Sequence, residues 1–414
     1  MPSDLLIRDL DKDDLKWLKE SQPTGGTQNL FLKSILRQAR EKTLQPSLFD
    51  EPVYRPPVIH GSLPFKFIDL FAGIGGFRSA MTALGGECVF TSEWDKYAAA
   101  TYREWYGDND VYNEDIRQLD PKKIPDHDVL CAGFPCQPFS LAGVSKKNSM
   151  GRKHGFDDEA QGNLFFAIMN IVKLKRPPVL FLENVKNLRS HDKGNTWNVI
   201  RDQLEAARYI VFDKVIDARH WVPQHRERVF IVCFDRAVFG EHQDVGFEFP
   251  ELEVDSHPKL GSILGEKAPE KKYMLSDKLW KYLQDYAEKH RAKGNGFGYS
   301  LFGKSDVART LSARYHKDGS EILIRQRGWK NPRRLTPSEA RQLMGFQDRY
   351  AELFGHTEGF PQVVSDTQAY RQFGNAVVPP VVEAVGAQIL QSMVNAVRQS
   401  QTGCMLKGRV VADK

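Results

Sequence analysis

The hydrophobic positions between residues 65 and 234 fall into short apolar runs that are separated by amphipathic stretches. The runs are rich in valine, isoleucine, leucine and phenylalanine, which is typical of buried strands. The amphipathic stretches repeat their apolar residues at helical spacing. Strands that alternate with helices form a parallel sheet covered on both faces, so we predict a doubly wound α/β fold. The predicted strands are 65–71, 88–92, 128–132, 178–185, 209–218 and 228–234, and the predicted helices are 77–84, 164–175 and 194–207.

The alternation stops after residue 234 and resumes at Thr336, a helix cap that is followed by a proline in the first turn. Between these points we predict a second, smaller domain, mostly irregular or β, with a helix near Ser276–Ala292 and a strand-like stretch over 308–315. A terminal helix that opens near Gln372–Pro380 is expected to pack back on the first strands. The predicted boundaries are 235–333 for the smaller domain and 65–234 with 334–398 for the larger one.

The first 64 residues have a different pattern. Residues 3–8 have the composition of a short strand, and two amphipathic helices are predicted after it, the second from Thr27. This is the order of a ribbon-helix-helix unit, which reads DNA only as a dimer, although a helical arm packed on the main body gives the same pattern. We therefore predict a small N-terminal domain at 1–42. Residues 43–64 contain five prolines and predict an extended linker.

Composition narrows the classes of function. The chain has 414 residues with 58 Lys and Arg against 53 Asp and Glu, a net charge of +5, so a nucleic-acid surface has to come from local clusters. The five cysteines include no C-x-x-C pair and no cysteine–histidine cluster at zinc spacing, which favours a reducing cytoplasm and no metal. We found no long apolar segment and no charged-then-apolar leader, and we predict no membrane span.

The stretch 133–140, Gly-Phe-Pro-Cys-Gln-Pro-Phe-Ser, carries the candidate nucleophile. Glycine and two prolines cannot continue a regular element, so Cys136 is expected on a stiff loop at the carboxyl end of a strand, where open α/β sheets bind ligands. Its thiolate would be nucleophilic once the pKa falls, whereas the alternative is a small buried cysteine. The polar, basic stretch 141–163 is long for a loop and predicts a mobile segment that closes over phosphates.

Three features suit a nucleotide-like cofactor. The turn 71–76 follows the first predicted strand, and its glycines permit a cofactor to approach the backbone. Glu93 ends the second strand, where a carboxylate suits a ribose diol, and Trp94 offers a flat face for adenine or else fills the core. Asp115 is placed to accept a hydrogen bond from an exocyclic amine. Each feature alone is a weak signal.

A second carboxylate and a group of arginines complete the candidate site. Glu183 ends an apolar strand, so we expect it at the same sheet edge as Cys136, with a raised pKa and a proton to share with a ring nitrogen. A structural salt bridge is the alternative. Alternation sends Gln224, Arg226 and Arg228 to one face, where two guanidiniums would converge on a phosphate and a base carbonyl.

These motifs resemble those of the cytosine-C5 DNA methyltransferases, in family order from about residue 65 to residue 389. The matching motifs are Phe71-x-Gly73-x-Gly75-Gly76, Glu93-Trp94, Pro135-Cys136-Gln137, Glu183-Asn184-Val185, Gln224-x-Arg226-x-Arg228, Arg334-Leu335-Thr336-Pro337-x-Glu339 and Gly374-Asn375. The resemblance implies a Rossmann-like methyltransferase domain that uses S-adenosylmethionine, a target-recognition domain at 235–333, and double-stranded DNA as the substrate.

The resemblance also implies roles for single residues. Cys136 would attack C6 of a cytosine swung out of the helix, and Glu183 would hold N3. Arg228 would bind the cytosine carbonyl, while Arg226 would fix phosphates. The cofactor pocket is expected to contain Phe71, Gly73, Gly75, Gly76, Glu93, Trp94, Asp115, Ile116, Pro135, Leu164 and Asn375. The residues expected to contact DNA are Gln137, Ser140, Gln224, Arg309, Arg314 and Lys317.

The segments 294–299 and 308–324 resemble the recognition segments of bacterial enzymes that methylate CCGG-like and CCWGG-like sites. We therefore expect a short palindromic site of that type with the inner cytosine as target, and a cytoplasmic, nucleoid-associated protein. The protein would act as a monomer on DNA, or as a homodimer through 1–42, and a cognate restriction endonuclease would act separately.

Three alternatives stay open. A tRNA cytosine-C5 methyltransferase of the same superfamily would keep the fold and change the polymer. A DNA-binding regulator would act through residues 1–42. A Rossmann dehydrogenase would explain the glycine-rich turn, but its chemistry does not call for Cys136 facing Glu183.

Overall fold

The structure, a computed structural model, describes residues 65–135, 164–241, 245–250, 257–265, 269–295, 298–326 and 328–410. Within these ranges a six-stranded sheet has the strand order β2-β1-β3-β4-β6-β5. Strands β1 to β4 are parallel, and β6 runs antiparallel to both β4 and β5. The strands are β1 (Lys66–Leu70), β2 (Glu87–Ser92), β3 (Val129–Gly133), β4 (Val179–Val185), β5 (Tyr209–Asp217) and β6 (Glu227–Asp235).

Helices connect successive strands, and further helices come after the last strand of the sheet in the chain. The helices are α1 (Gly76–Ala83), α2 (Lys96–Tyr106), α3 (Leu164–Lys175), α4 (Asn195–Ala206), α5 (Arg236–Phe239), α6 (Asp277–Ala292), α7 (Pro337–Leu343), α8 (Asp348–Glu352), α9 (Asp366–Asn375) and α10 (Pro379–Val410). The predicted strands and helices of the larger unit are all present, with ends shifted by one or two residues. Helix α2 was not predicted. It is capped by the Asp95 side chain and followed by Gly107 at a φ of 64°.

Alternate residues of the central strands enter two separate cores. Phe67 of β1 and Phe181 of β4 lie on one face, in the core that contains residues of α1, α2, α9 and α10. Ile68 and Leu180, one position away, lie on the other face with residues of α3 and α4. The prediction of a doubly wound α/β fold is therefore confirmed.

The C-terminal helices return to the start of the larger unit, where α10 packs against α1, the helix that follows the first strand. Helix α7 begins with a capping box, in which the Thr336 hydroxyl accepts from Glu339 N and the Glu339 carboxylate accepts from Thr336 N. Helix α10 approaches α1 closely, because a Cβ on Gly386 would lie 2.7 Å from Leu84 Cδ1. The stretch Asp366–Ala396 is long and apolar enough to cross a membrane, but 67% of its apolar window is buried, as in a core helix.

The segment 308–315 is not a strand, which corrects the prediction. Ala308 forms an isolated bridge with Gln224, and turns follow from Ala313. Two short strands, β7 (Leu301–Phe302) and β8 (Leu323–Ile324), instead form a parallel pair. Helix α6 is present with Ser276 as its cap, as predicted. The predicted N-terminal domain at 1–42 and linker at 43–64 lie outside the described residues.

Candidate active site

A cleft of about 610 Å³ opens at the carboxyl edge of the parallel strands. Its wall draws on the ends of β1, β2, β3 and β4, the start of α3, and helix α9. Nine of the eleven predicted cofactor residues line it. These nine are Phe71, Gly73, Glu93, Trp94, Asp115, Ile116, Pro135, Leu164 and Asn375.

The turn after β1 is fixed to the end of β2 by one carboxylate. Glu93 Oε2 accepts from Gly73 N at 2.7 Å, and Glu93 Oε1 accepts from Asp95 N at 2.6 Å. Phe71 has a φ of 54° and Gly73 a φ of 57°, so the backbone turns through left-handed conformations, and its amides at residues 72, 73 and 75 are hydrogen-bonded within the protein. Burial raises the pKa of Glu93, and the bonds from the two amides oppose that rise. The carboxylate therefore shapes the turn and also faces the cleft.

Gly75 and Gly76 do not line the cleft, which corrects their assignment to the cofactor pocket. A Cβ on Gly75 would lie 2.3 Å from the Tyr106 ring, and the Tyr106 hydroxyl donates to the carbonyls of Ile74 and Gly75. A Cβ on Gly76 would lie 2.5 Å from Val377 Cγ1 and 2.6 Å from the Val377 carbonyl oxygen. Both glycines therefore permit close packing behind the turn.

Trp94 and Asp115 stand at the same end of the cleft. The Trp94 side chain is 66% exposed, so its indole face is open at the rim. Asp115 accepts from Arg117 Nε at 2.9 Å, and the Arg117 hydrogen bonds hold the pKa of Asp115 below its usual range. Asn113 Nδ2 donates to the carbonyls of Glu93 and Trp94, which fixes the backbone there. A flat aromatic face and a charged acceptor at one end of a cleft suit an adenine ring with its exocyclic amine.

Glu183 and Arg228 form an ion pair inside the cleft. Arg228 Nε lies 3.1 Å from Glu183 Oε1, and the two side chains are 17% and 12% exposed. Burial raises the pKa of Glu183, whereas the charges of Arg228 and Arg226 lower it. An acid in this setting can share a proton with a ring nitrogen beside it.

The loop that leads to residue 136 is held against this pair. Gly133 is paired in register with Glu183, and a Cβ on Gly133 would lie 3.6 Å from Glu183 Oε2. Asn184 Nδ2 donates to the Phe134 carbonyl at 2.8 Å, and Asn184 Oδ1 accepts from Val185 N. Asn184 therefore joins the end of β4 to the loop after β3. Cys136, Gln137, Ser140 and the predicted closing segment 141–163 lie outside the described residues.

Gln224 and Arg226 are buried, with exposures of 0% and 1%, which contradicts their predicted contacts with DNA. Gln224 Oε1 accepts from Leu311 N, and Arg226 donates to the carbonyls of Leu311, Gly374 and Ala376. Their polar atoms are thus used inside the protein. The predicted common face exists, but a distant segment of the chain covers it, and only Arg228 reaches the cleft.

Helix α9 adds polar residues to the cleft that sequence reasoning missed, namely Gln368, Arg371 and Gln372. Gln372 is 9% exposed, and its Oε1 accepts from Thr101 Oγ1 at 3.2 Å. Its Nε2 has no hydrogen-bond partner among the described residues. A buried amide without a partner is costly, so this donor is suited to a bound ligand. The signal in the sequence was the polar face of a helix next to Gly374-Asn375.

The predicted base-reading residues Arg309, Arg314 and Lys317 are exposed. Arg309 Nη1 donates to Ser300 Oγ at 3.3 Å. In the chain these three residues flank Leu311, whose backbone is bonded to the side chains of Gln224 and Arg226. Their contacts with DNA stay a prediction.

The sheet order and the cleft at its carboxyl edge define a Rossmann-like methyltransferase fold. A methyltransferase of Entamoeba histolytica, EhMeth, matches with a TM-score of 0.60 at 17% identity over 80% of this chain and 99% of that chain. Dnmt2 of S. pombe matches with a TM-score of 0.58 at 16% identity over 80% and 99%. At these identities the likeness supports the fold alone.

The sequence comparisons show the family. The model of the C-5 cytosine-specific DNA methylase family matches residues 65–391. A DNA-cytosine methyltransferase of Escherichia coli K12 is 45% identical over 401 residues, covering 84% of this chain and 82% of the relative. The type II methyltransferase M.NlaX of Neisseria lactamica is 48% identical over 329 residues, covering 78% and 96%.

The chain belongs to the C-5 cytosine-specific DNA methylase family, and it is a DNA (cytosine-5) methyltransferase. The alternatives of a tRNA methyltransferase and of a Rossmann dehydrogenase are therefore not supported. Residues 1–42 lie outside the described residues, so their regulatory role stays a prediction.

Proposed function

We propose that this protein transfers a methyl group from S-adenosylmethionine to C5 of the inner cytosine in a short, palindromic, CCGG-like or CCWGG-like DNA site. The observation that carries the proposal is one continuous cleft, with Glu93 and Trp94 at one end and the Glu183–Arg228 pair at the other. A cofactor and a target base bound in this cleft would lie side by side, as direct methyl transfer requires.

The residues of the cleft fit the cofactor. Trp94 would stack on the adenine, Asp115 would accept from the exocyclic amine, and Glu93 would accept from the ribose hydroxyls. The buried Gln372 Nε2, which has no partner among the described residues, provides one further donor. When bound, S-adenosylmethionine supplies an electrophilic methyl group.

The protein would activate the base by nucleophilic addition. The Cys136 thiolate would form a bond to C6 of the flipped cytosine, and the displaced electron pair would move toward N3. Glu183, whose pKa is raised by burial, would share its proton with N3, and Arg228 would bind the base carbonyl. The electron density at C5, the carbon that is methylated, rises as a result. Once C5 carries the methyl group, a water molecule would take the C5 proton, and the electron pair of that C–H bond would restore the C5–C6 double bond as the C6–sulfur bond breaks and releases the thiolate.

The DNA site follows from a resemblance of the segments 294–299 and 308–324 to known recognition segments. Several relatives, including M.NlaX, are named as type II methyltransferases, so we propose the same type for this chain. A separate restriction endonuclease and dimerisation through residues 1–42 are further proposals. We also propose that the protein works in the cytoplasm, at the nucleoid.

Mapping of methylated cytosines tests the proposed site. The protein is expressed in cells that lack other cytosine methyltransferases, and their DNA is sequenced after bisulfite treatment. We expect methylation at one cytosine of a CCGG-like or CCWGG-like palindrome on both strands. Methylation confined to an asymmetric or unrelated sequence would overturn the site, and methylation of tRNA without DNA would overturn the substrate.

A further inference from the structure

Two buried side chains hold one residue of the recognition segment, defined here as residues 309–317. Leu311 N donates to Gln224 Oε1 at 2.7 Å, and the Leu311 carbonyl accepts from Arg226 Nη1 at 2.9 Å. Both backbone groups of Leu311 are therefore bonded to side chains instead of to a neighbouring strand. Ala308 adds a backbone contact, because Ala308 N donates to the Pro223 carbonyl at 2.8 Å. The start of the recognition segment is thus fixed to residues 223–226.

The same guanidinium also holds the wall of the cofactor cleft. Arg226 Nη2 donates to the Gly374 carbonyl at 3.0 Å and to the Ala376 carbonyl at 2.8 Å. Asn375, which lies between these two acceptors, lines the cleft. Arg226, which directly precedes β6, therefore connects the recognition segment to the wall of the cofactor cleft.

The two held segments also touch each other directly. A Cβ on Gly374 would lie 2.2 Å from Ala313 N and 2.3 Å from the Ser312 carbonyl carbon. Such distances are possible only because residue 374 is a glycine and the two backbones are in van der Waals contact. A displacement of the recognition segment would thus be passed to residues 374–376 without an intervening flexible side chain.

Burial explains why an arginine in this place has no surface role. Arg226 is 1% exposed, and burial lowers its pKa, as does the nearby charge of Arg228. A buried cation is unfavourable unless it is hydrogen-bonded, and three backbone carbonyls from two distant segments accept from Nη1 and Nη2, whereas Nε has no partner among the described residues. A planar guanidinium can reach acceptors in these different directions, which an ammonium group cannot do to the same extent.

We propose that Arg226 is a positioning residue that joins the recognition segment to the cofactor wall. Contacts between the recognition segment and the cognate bases would then fix the position of the target cytosine relative to the cofactor. The inference rests on the proposed DNA-reading role of Arg309 and Arg314. It predicts that weakening the hydrogen bonds of Arg226 lowers both the turnover rate and the preference for the cognate sequence.

The test compares Arg226→Lys with wild type on the duplex identified by methylation mapping and on a duplex with one base pair of that site changed. We expect kcat on the cognate duplex to fall about tenfold or more, which corresponds to the loss of about one hydrogen bond to a charged group. The ratio of kcat/KM values for the two duplexes should also fall at least several-fold. Equilibrium binding of S-adenosylmethionine, measured by calorimetry, should weaken because residues 374–376 lose their anchor.

Arg341→Lys is the matched control. Arg341 is also buried, at 6% exposed, and it bonds the Phe346 carbonyl and Asp348, outside the cleft and the recognition segment. It should lower the melting temperature without changing sequence preference. If Arg226→Lys keeps the wild-type rate and preference, or loses no more of either than Arg341→Lys does, the inference is overturned.

A second variant guards against a folding defect of Arg226→Lys. Gln224→Met removes the acceptor of Leu311 N, so it loosens the same residue from its other side. It should lower sequence preference in the same direction, and an unchanged preference in this variant would contradict the inference. Failure of the proposed function would appear differently, as absence of cytosine methylation of duplex DNA by the wild-type protein.

Discussion

Replacing Gly76 by alanine tests whether this glycine permits close packing behind the turn or contacts the cofactor directly. The new Cβ would lie 2.5 Å from Val377 Cγ1 and 2.6 Å from the Val377 carbonyl oxygen. Carbon atoms in contact are normally about 3.5–4.0 Å apart, so an overlap of about 1 Å must be relieved. Because one of the overlapping atoms belongs to the backbone, helix α1 or the segment after Asn375 must move.

The expected cost follows from this overlap. Extra atoms in a packed core cost about 1–3 kcal/mol, and each kcal/mol lowers the melting temperature of a domain of this size by about 2–4 °C. The displaced segment directly follows Asn375, and the helix follows the turn that carries Gly73, so both walls of the cleft are disturbed. If about 1.4 kcal/mol of the strain opposes binding, affinity for S-adenosylmethionine falls about tenfold.

Thermal unfolding and calorimetric titration with S-adenosylmethionine measure the two effects on the same sample. Gly303→Ala is the control, because its Cβ would make an ordinary contact, 3.6 Å from Asp306 Oδ2. The packing account predicts that Gly76→Ala lowers both melting temperature and affinity. Weaker binding at an unchanged melting temperature would favour direct contact with the cofactor, and no change in either quantity would show that residue 76 does not need to be a glycine.

Three further predictions concern buried polar groups. Gln372→Leu should weaken S-adenosylmethionine binding about tenfold or more in calorimetry, since it removes the free donor that Thr101 orients; the melting temperature should change little, because removal of the unpaired amide offsets the loss of the hydrogen bond from Thr101. Asn184→Leu removes the anchor of the Phe134 carbonyl and should lower kcat more than cofactor affinity in steady-state and binding assays; equal losses would argue against it. Burial raises the pKa of Asp69 from 3.8 to about 8, so the folded protein holds a proton that the unfolded chain releases, and this carboxyl's contribution to stability falls as pH rises between these values. The melting temperature of Asp69→Asn relative to wild type should therefore increase from pH 5 to pH 8, and a constant difference would contradict the shift.

Much of the fold could be predicted from the sequence because its pattern is local. Short apolar runs placed each strand, and the carboxylates that end β2 and β4 marked the edge where Glu93 and Glu183 line the cleft. The helix start with Thr336 as its cap was equally visible, since a helix start depends on neighbouring residues, and the structure adds the capping box with Glu339.

Contacts between distant residues could not be predicted in this way. The alternation of Gln224, Arg226 and Arg228 gave their common face correctly, but the partners of Arg226 lie 85 and 148 residues further along the chain. The pattern therefore could not show that Leu311 and Gly374 cover that face. The prediction of a strand-like segment at 308–315 was wrong for the same reason, namely that it depends on distant contacts. The backbone of Leu311 is hydrogen-bonded to the side chains of Gln224 and Arg226 and not to a neighbouring strand.

We propose that the sulfur atom of Cys136 activates the target cytosine by bonding to C6, while Glu183 binds N3. The direct measurement is transfer of radiolabel from methyl-labelled S-adenosylmethionine to duplex DNA by wild type and by Cys136→Ser, with both proteins checked for folding and for cofactor binding. We predict label in 5-methylcytosine with the wild type and none above background with the serine variant, although it still binds cofactor. Labelling by Cys136→Ser at the wild-type rate would contradict the account.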